Sequence, residues 1–232
     1  MAHAHVDLLL DPAQPDLDPR SDDNPDDLAQ GLRDRWAVPS GPISGMISTL
    51  EEHGIVCIYR DLSDLGAATL ASTAASGRML MFIDTAATRL DLVWSLAHEL
   101  GHLVLAGEPS KEQEARAEAF ASAFLLPASD LRADDSPGSS INLGGEASRC
   151  GVRPRQLAQR LRDLKMITHV QFRQVIHEAA GIGDEQPNPA LLGRPSALAD
   201  RVRDAGGSRR AALPAFLTAD ELRQRYLARS QS

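Results

Sequence analysis

Cysteine is scarce in this chain, basic charge is in deficit, and long apolar runs are absent. Of 232 residues only Cys57 and Cys150 are cysteines, too few for a disulfide framework, and Cys150 has no neighbouring cysteine to build a thiolate metal site. Reduced thiols in a cytoplasmic protein are therefore expected. The 24 Lys and Arg against 32 Asp and Glu leave a net charge of −8, which excludes general nucleic-acid affinity for the whole chain. No apolar stretch is long enough to span a bilayer, so no membrane association is expected. The early run Val6 to Leu10 is short and flanked by aspartates, unlike the basic-led core of a signal peptide. What remains, with 43% apolar residues, is enough to bury one sizeable core plus an accessory module.

Chemistry is concentrated in His98-Glu99-Leu100-Gly101-His102, an H-E-x-x-H pattern. On a helix, residues four apart share a face, so His98 and His102 can direct two imidazole nitrogens at one ion with Glu99 beside them as a base. The flanks Leu90 to Ala97 and Leu103 to Ala106 are mainly apolar, so the helix reads as buried. Between Leu92 and Leu105 its polar residues are Ser95, His98, Glu99 and His102, which fall in one sector. Two core histidines bonded to carbonyls would leave Glu99 on that stripe unexplained, whereas a metal and its water would satisfy all of them.

A catalytic zinc takes three protein ligands and keeps one position open. With no further histidine close downstream, the search falls on carboxylates of the helical segment Lys111 to Pro127. Its apolar stripe is Ala117, Phe120, Ala121, Phe124 and Leu125. Glu114 projects at the edge of that stripe and is the favoured ligand, Glu118 is the alternative, and Glu112 points to the opposite side.

HELGH followed by Glu114-x-x-Ala117-x-x-Phe120-Ala121-x-x-Phe124-Leu125-Leu126-Pro127 resembles the ImmA/IrrE-type metallopeptidases. The resemblance implies zinc held by His98, His102 and Glu114, with Glu99 as general base, and it extends from about Gly41 to about Gly181. Arg116 stands where many relatives carry a second acidic residue, which favours Glu114 over its neighbours. Trp94-Ser95 replaces the usual Phe-Thr before Leu96-Ala97, a change to which the sequence alone attaches no role. Zinc in such a site acidifies water and polarises a peptide carbonyl, while Glu99 moves the proton. Tyr59, His169, His177 and several arginines are oxyanion donors by residue type alone. Manganese or another divalent ion suits the same donors.

The expected fold is α+β: a small zincin-like metallopeptidase domain with a short sheet packed on the HELGH helix, followed by a helical, helix-turn-helix-like region. Residues 1–34, rich in Asp and Pro, read as a disordered acidic tail, and His3 and His5 within it carry no metal reading. The peptidase core is expected over 35–135. A helix bearing Ile43, Met46, Ile47 and Leu50 stops at Gly54, with His53 complementing its dipole. Strands are expected at Ile55 to Tyr59 and Met79 to Ile83, separated by a polar loop, and a sheet edge could hold extended peptide.

Residues 136–182 follow as the helix-turn-helix-like module: a Pro/Gly/Ser loop from Ser136 to Glu146, then helices at Pro154 to Leu164 and Thr168 to Ala180. Arg149, Arg153, Arg155, Arg160, Arg162, Lys165 and Arg173 give it a basic face that could meet phosphates. Asp163 and Glu178 in the same segment favour packing over the cleft instead. Residues 183–232 read as a linker and C-terminal helices, the last opened by a capping box at Thr218 to Glu221.

Two functions fit these features. One is a zinc endopeptidase, for which the resemblance implies a protein substrate such as a DNA-bound helix-turn-helix repressor, cleaved in stress response or mobile-element and toxin–antitoxin control. The other is a noncatalytic zinc-containing regulator or antitoxin-like binding protein. Intact Glu99 favours the first, since a structural zinc site needs no base.

Overall fold

The computed structural model describes residues 16–20, 23–73, 77–131 and 143–179. In chain order its helices are α1 (Pro25–Arg35), α2 (Met46–Glu52), α3 (Arg89–Leu105), α4 (Lys111–Leu125), α5 (Leu143–Cys150), α6 (Pro154–Asp163) and α7 (His169–Ala179). The strands are β1 (Val56–Arg60), β2 (Thr69–Thr73) and β3 (Met79–Asp84). No helix among the described residues is long and apolar enough to cross a membrane. The mixed α+β composition agrees with the sequence, and the described residues form two compact units, 45–87 and 17–44 with 88–179.

In the first unit, α2 buries Met46, Ile47 and Leu50 and ends where expected. Gly54 takes φ 85, and its N–H and that of Ile55 reach back to Glu51 and Leu50 carbonyls at 3.1 and 3.0 Å. Glycine adopts this left-handed conformation without a Cβ penalty, and the two bonds satisfy carbonyls the helix leaves open. The His53 ring nitrogen Nδ1 lies 2.8 Å from the Thr49 carbonyl, consistent with its expected place at the helix end.

The sheet order is β1-β3-β2, with β3 parallel to β1 and antiparallel to β2. Val56 to Tyr59 are buried in β1, and β3 is buried from Leu80 to Asp84. Strand β2 corrects the expected loop. Its Thr-Leu-Ala-Ser-Thr sequence lacks the apolar run of a doubly buried strand because it forms an edge, with Leu70 42% exposed.

The second unit is helical. Its α3 starts on Thr88, whose side chain accepts from the Asp91 N–H, and α4 starts on Ser110, which accepts from Gln113. The two helices run antiparallel, since Trp94 and His98 meet Glu118 while His102 meets Glu114. At their crossing a Cβ on Gly101 would lie 3.1 Å from both the Ala117 Cα and carbonyl oxygen, and 3.2 Å from a Phe120 ring carbon. Glycine and alanine at this contact let the backbones close.

Helix α1 corrects the expected disordered tail from Pro25 onward, while residues 1–15 and 21–22 of that tail lie outside the described residues. Asn24 caps it, Pro25 sits in its first turn, and its inner face buries Ala29, Leu32 and Arg33. The acidic residues around these positions obscured a short amphipathic face. Trp36 then meets Phe124 edge-on at 6.3 Å, and Phe124 stacks on Phe120 at 5.7 Å.

Two buried arginines close the C-terminal end of α4. Arg33 donates to the carbonyls of Phe124, Pro39 and Gly41 at 2.7, 2.5 and 3.2 Å, and lies 3.9 Å from the Asp130 carboxylate. Arg160 donates from Nε to the Leu126 carbonyl at 3.0 Å and pairs with Asp26 at 2.6 Å. Carbonyls at a helix end lack intrahelical partners and carry the negative end of its dipole, so cations are favoured there. Burial lowers the proton affinity of Arg33, and Asp130 opposes that effect.

These contacts revise the basic face read from residues 149–173. Arg160 is buried, Arg149 pairs with Glu146, Arg153 pairs with Asp91 at 2.8 Å, and Arg162 lies 4.3 Å over the Phe172 ring. Much of that charge serves the fold rather than phosphates. Helix α5 also begins within the stretch expected to be a loop, where Leu143, Ala147 and Cys150 turn inward at helical spacing. Helices α6 and α7 pack together as expected, through a turn in which Lys165 takes φ 60. His3, His5 and the readings over 183–232 lie outside the described residues.

Replacing Arg33 with Met should lower stability by about 3 kcal/mol, because the buried Phe124 carbonyl and two part-buried carbonyls lose their donor while the apolar stem is kept. Urea unfolding measures this. An unchanged midpoint would show that the guanidinium is dispensable.

Candidate metal centre

Two turns of α3 and one of α4 supply the site. His98, Glu99 and His102 lie on the half-buried side of α3, while Leu96, Ala97, Leu100, Gly101 and Val104 form its buried side. The polar stripe expected from the sequence is thus the side of α3 that faces away from the core. Across the Gly101–Ala117 contact, Glu114 and Glu118 stand one turn apart on α4, opposite His102 and His98.

His98, His102 and Glu114 each offer a ligand atom, all within 4.8 Å of one another. The His98 and His102 Nε2 atoms are 3.1 Å apart, and the Glu114 oxygens lie 3.3 Å from His98 Nε2 and 3.5 Å from His102 Nε2. A tetrahedral ion with bonds of about 2.0–2.1 Å spaces its ligands about 3.3 Å apart. The donors therefore have the mutual spacing of three corners around one ion.

Glu118 has a different place. One of its oxygens is 3.2 Å from His98 Nδ1, and Trp94 Nε1 donates to both its oxygens at 3.0 Å. A carboxylate acceptor favours the His98 tautomer with its proton on Nδ1, leaving a lone pair on Nε2. That lone pair faces a Glu114 oxygen and another ring nitrogen, three electron-rich atoms that need a cation between them. This donor chemistry fits a divalent ion. The hydrogen bond to Glu118 raises His98's proton affinity against the opposing effect of burial, while the same bond holds the Glu118 carboxyl below its usual range. The negative charge that favours an imidazolium also favours a bound dication.

The structure brings together the three residues singled out in the sequence, although one premise for choosing Glu114 fails. Glu114 is not directed into the core: its side chain is 60% exposed, against 22% for His98 and 30% for His102. The group opens to solvent. Trp94 was missed, although the spacing Trp94, His98, His102 at four-residue intervals places all three on one face. Glu112 is exposed, as expected. Of the residues considered as oxyanion donors, Tyr59 is buried in β1, His169 stacks on Phe172, and His177 is exposed on α7. None joins the metal-compatible group, the one such group found among the described residues.

The class follows from this geometry and from comparison with known families. Residues 50–162 match the family model Peptidase_M78, the IrrE N-terminal-like domain, a range that spans the sheet, α3, α4, α5 and all but the last residue of α6. Over these residues, just under half of its length, the chain is similar to the IrrE-type metallopeptidases. No curated protein matched the chain in a sequence search.

If Glu114 is a ligand and Glu118 an orienting partner, Glu114→Ala should nearly abolish binding of one zinc, whereas Glu118→Ala should weaken it about 10-fold to 100-fold. Glu112→Ala should leave affinity unchanged. Competition with a chromophoric chelator separates these cases, and equal losses in E114A and E112A would refute the assignment.

Proposed function

We propose that the protein is a zinc-dependent endopeptidase that hydrolyses a peptide bond in a protein substrate. The observation that carries this reading is the convergence of His98, His102 and Glu114 at tetrahedral spacing, with Glu99 adjacent on the same side of α3. His98, His102 and Glu114 would hold the ion, leaving one position for water, as catalytic rather than structural zinc sites do. When bound, the metal supplies Lewis acidity to the scissile carbonyl and lowers the pKa of a water.

The protein's own residues do the rest. Glu99 accepts a proton from the attacking water on a carboxylate oxygen and delivers it to the amide nitrogen as the carbon–nitrogen bond breaks. One water is consumed and no covalent bond to the enzyme is needed. Glu118 and Trp94 hold the His98 ring so that its Nε2 lone pair keeps its direction through the cycle. The exposure of Glu114 supports access by a protein chain. Family resemblance supports a helix-turn-helix repressor as the substrate class and the cytoplasm as the place where it is met, with release of stress-response or mobile-element genes as the consequence.

Glu99→Gln should remove cleavage while retaining one zinc, since the amide keeps the shape but not the basicity. Fragment formation from a candidate repressor, followed by mass spectrometry with and without a chelator, tests both points. Undiminished cleavage by E99Q would remove Glu99 from the mechanism.

A further inference from the structure

The mechanism leaves unassigned a cation on α6, the helix whose start is tied to α3 near the donor group. Arg155 lies in the first turn of α6, and it is exposed. Its neighbours in sequence are committed elsewhere: Arg153 holds Asp91 at 2.8 Å, and Arg160 is spent on the end of α4. Arg155 makes no ion pair or hydrogen bond among the described residues, yet its charge acts on the Glu118 carboxylate that orients His98.

The position of α6 is fixed independently by the Arg153–Asp91 pair. Asp91 precedes His98 by two helical turns on the same side of α3, about 10 Å along the axis. The start of α6 is thereby tied beside the Trp94–Glu118 end of the site. Hydrophobic anchors Leu157, Ala158 and Leu161 bury the opposite side of α6, so the helix is a firm support rather than a loose arm.

The chemistry of that position is specific. Glu99, Glu114 and Glu118 make the neighbourhood acidic, which disfavours a carboxylate on an approaching peptide wherever no cation offsets it. A guanidinium on a rigid helix, open to solvent and not neutralised by a close partner, is suited to a carboxylate through a planar, two-pronged contact.

We propose that Arg155 is a specificity-determining residue that binds an aspartate or glutamate side chain of the substrate among the residues flanking the cleaved bond. This rests on the endopeptidase reading above. The contact selects among protein segments but takes no part in proton transfer.

The test uses the zinc-loaded full chain and a peptide mixture from which cleaved sequences are first identified by mass spectrometry. One cleaved peptide is then resynthesised with Asp, Asn or Lys at each of the four positions on either side of the cut. For wild type, kcat/KM should be highest with Asp at one of these positions. Arg155→Glu should lower the Asp-to-Lys ratio there by about tenfold, and Arg155→Lys should largely retain the preference. A ratio that moves by less than roughly threefold in R155E, or no acidic preference in wild type, overturns the role of Arg155 while leaving the peptidase intact. Absence of any metal-dependent cleavage by wild type would instead overturn the endopeptidase reading, and the subsite with it.

Discussion

At Gly101, α3 approaches α4 so closely that one added carbon would stand 3.1 Å from the backbone of Ala117. Every feature of the candidate site depends on that approach. His98 and His102 flank Gly101 along α3, and Glu114 and Glu118 flank Ala117 along α4. Separating the helices by the width of a methyl group would move the carboxylates away from the imidazoles. Because interiors pack at crystal-like density, such a gap cannot be absorbed quietly. The glycine inside HELGH is thus explained by packing, whereas the other polar letters are explained by chemistry.

The contact also needs α4 held along its length. Its N-terminal end is fixed by Ser110, and Gln113 bonds the Ala106 carbonyl at 3.1 Å, closing the turn between the helices. Its C-terminal end is gripped by Arg33 and Arg160, which come from α1 and α6. Two cations satisfying carbonyls at a helix end do more than a single surface pair would, because they are buried and each bonds backbone. Helix α6 therefore has two tasks visible in its own residues, since Arg160 steadies α4 and Arg153 ties the start of α6 to α3.

Strongly periodic elements were legible in the sequence. Helices α3 and α4, the stop at Gly54 and strands β1 and β3 followed from apolar spacing and terminal residues. The grouping of His98, His102 and Glu114 was legible too, although Glu114 lies at an open rim rather than against the core. Residues whose role comes from a distant partner were harder. Arg33 and Arg160 read as ordinary surface charges until carbonyls far away in sequence are brought to them, and Trp94 has meaning only once Glu118 is opposite. Strand β2 was hidden because an edge strand with a solvated face need not be apolar, and α1 because its buried positions are sparse among aspartates.

The account's central claim is that one ion is held by two imidazoles and one carboxylate at the crossing of α3 and α4. X-ray absorption at the zinc edge, on protein loaded with one equivalent, examines that directly. The account predicts a shell of nitrogen and oxygen ligands alone at about 2.0–2.1 Å, with imidazole scattering that diminishes in both His98→Ala and His102→Ala. A sulfur ligand at about 2.3 Å, or a spectrum indifferent to both substitutions, would contradict it.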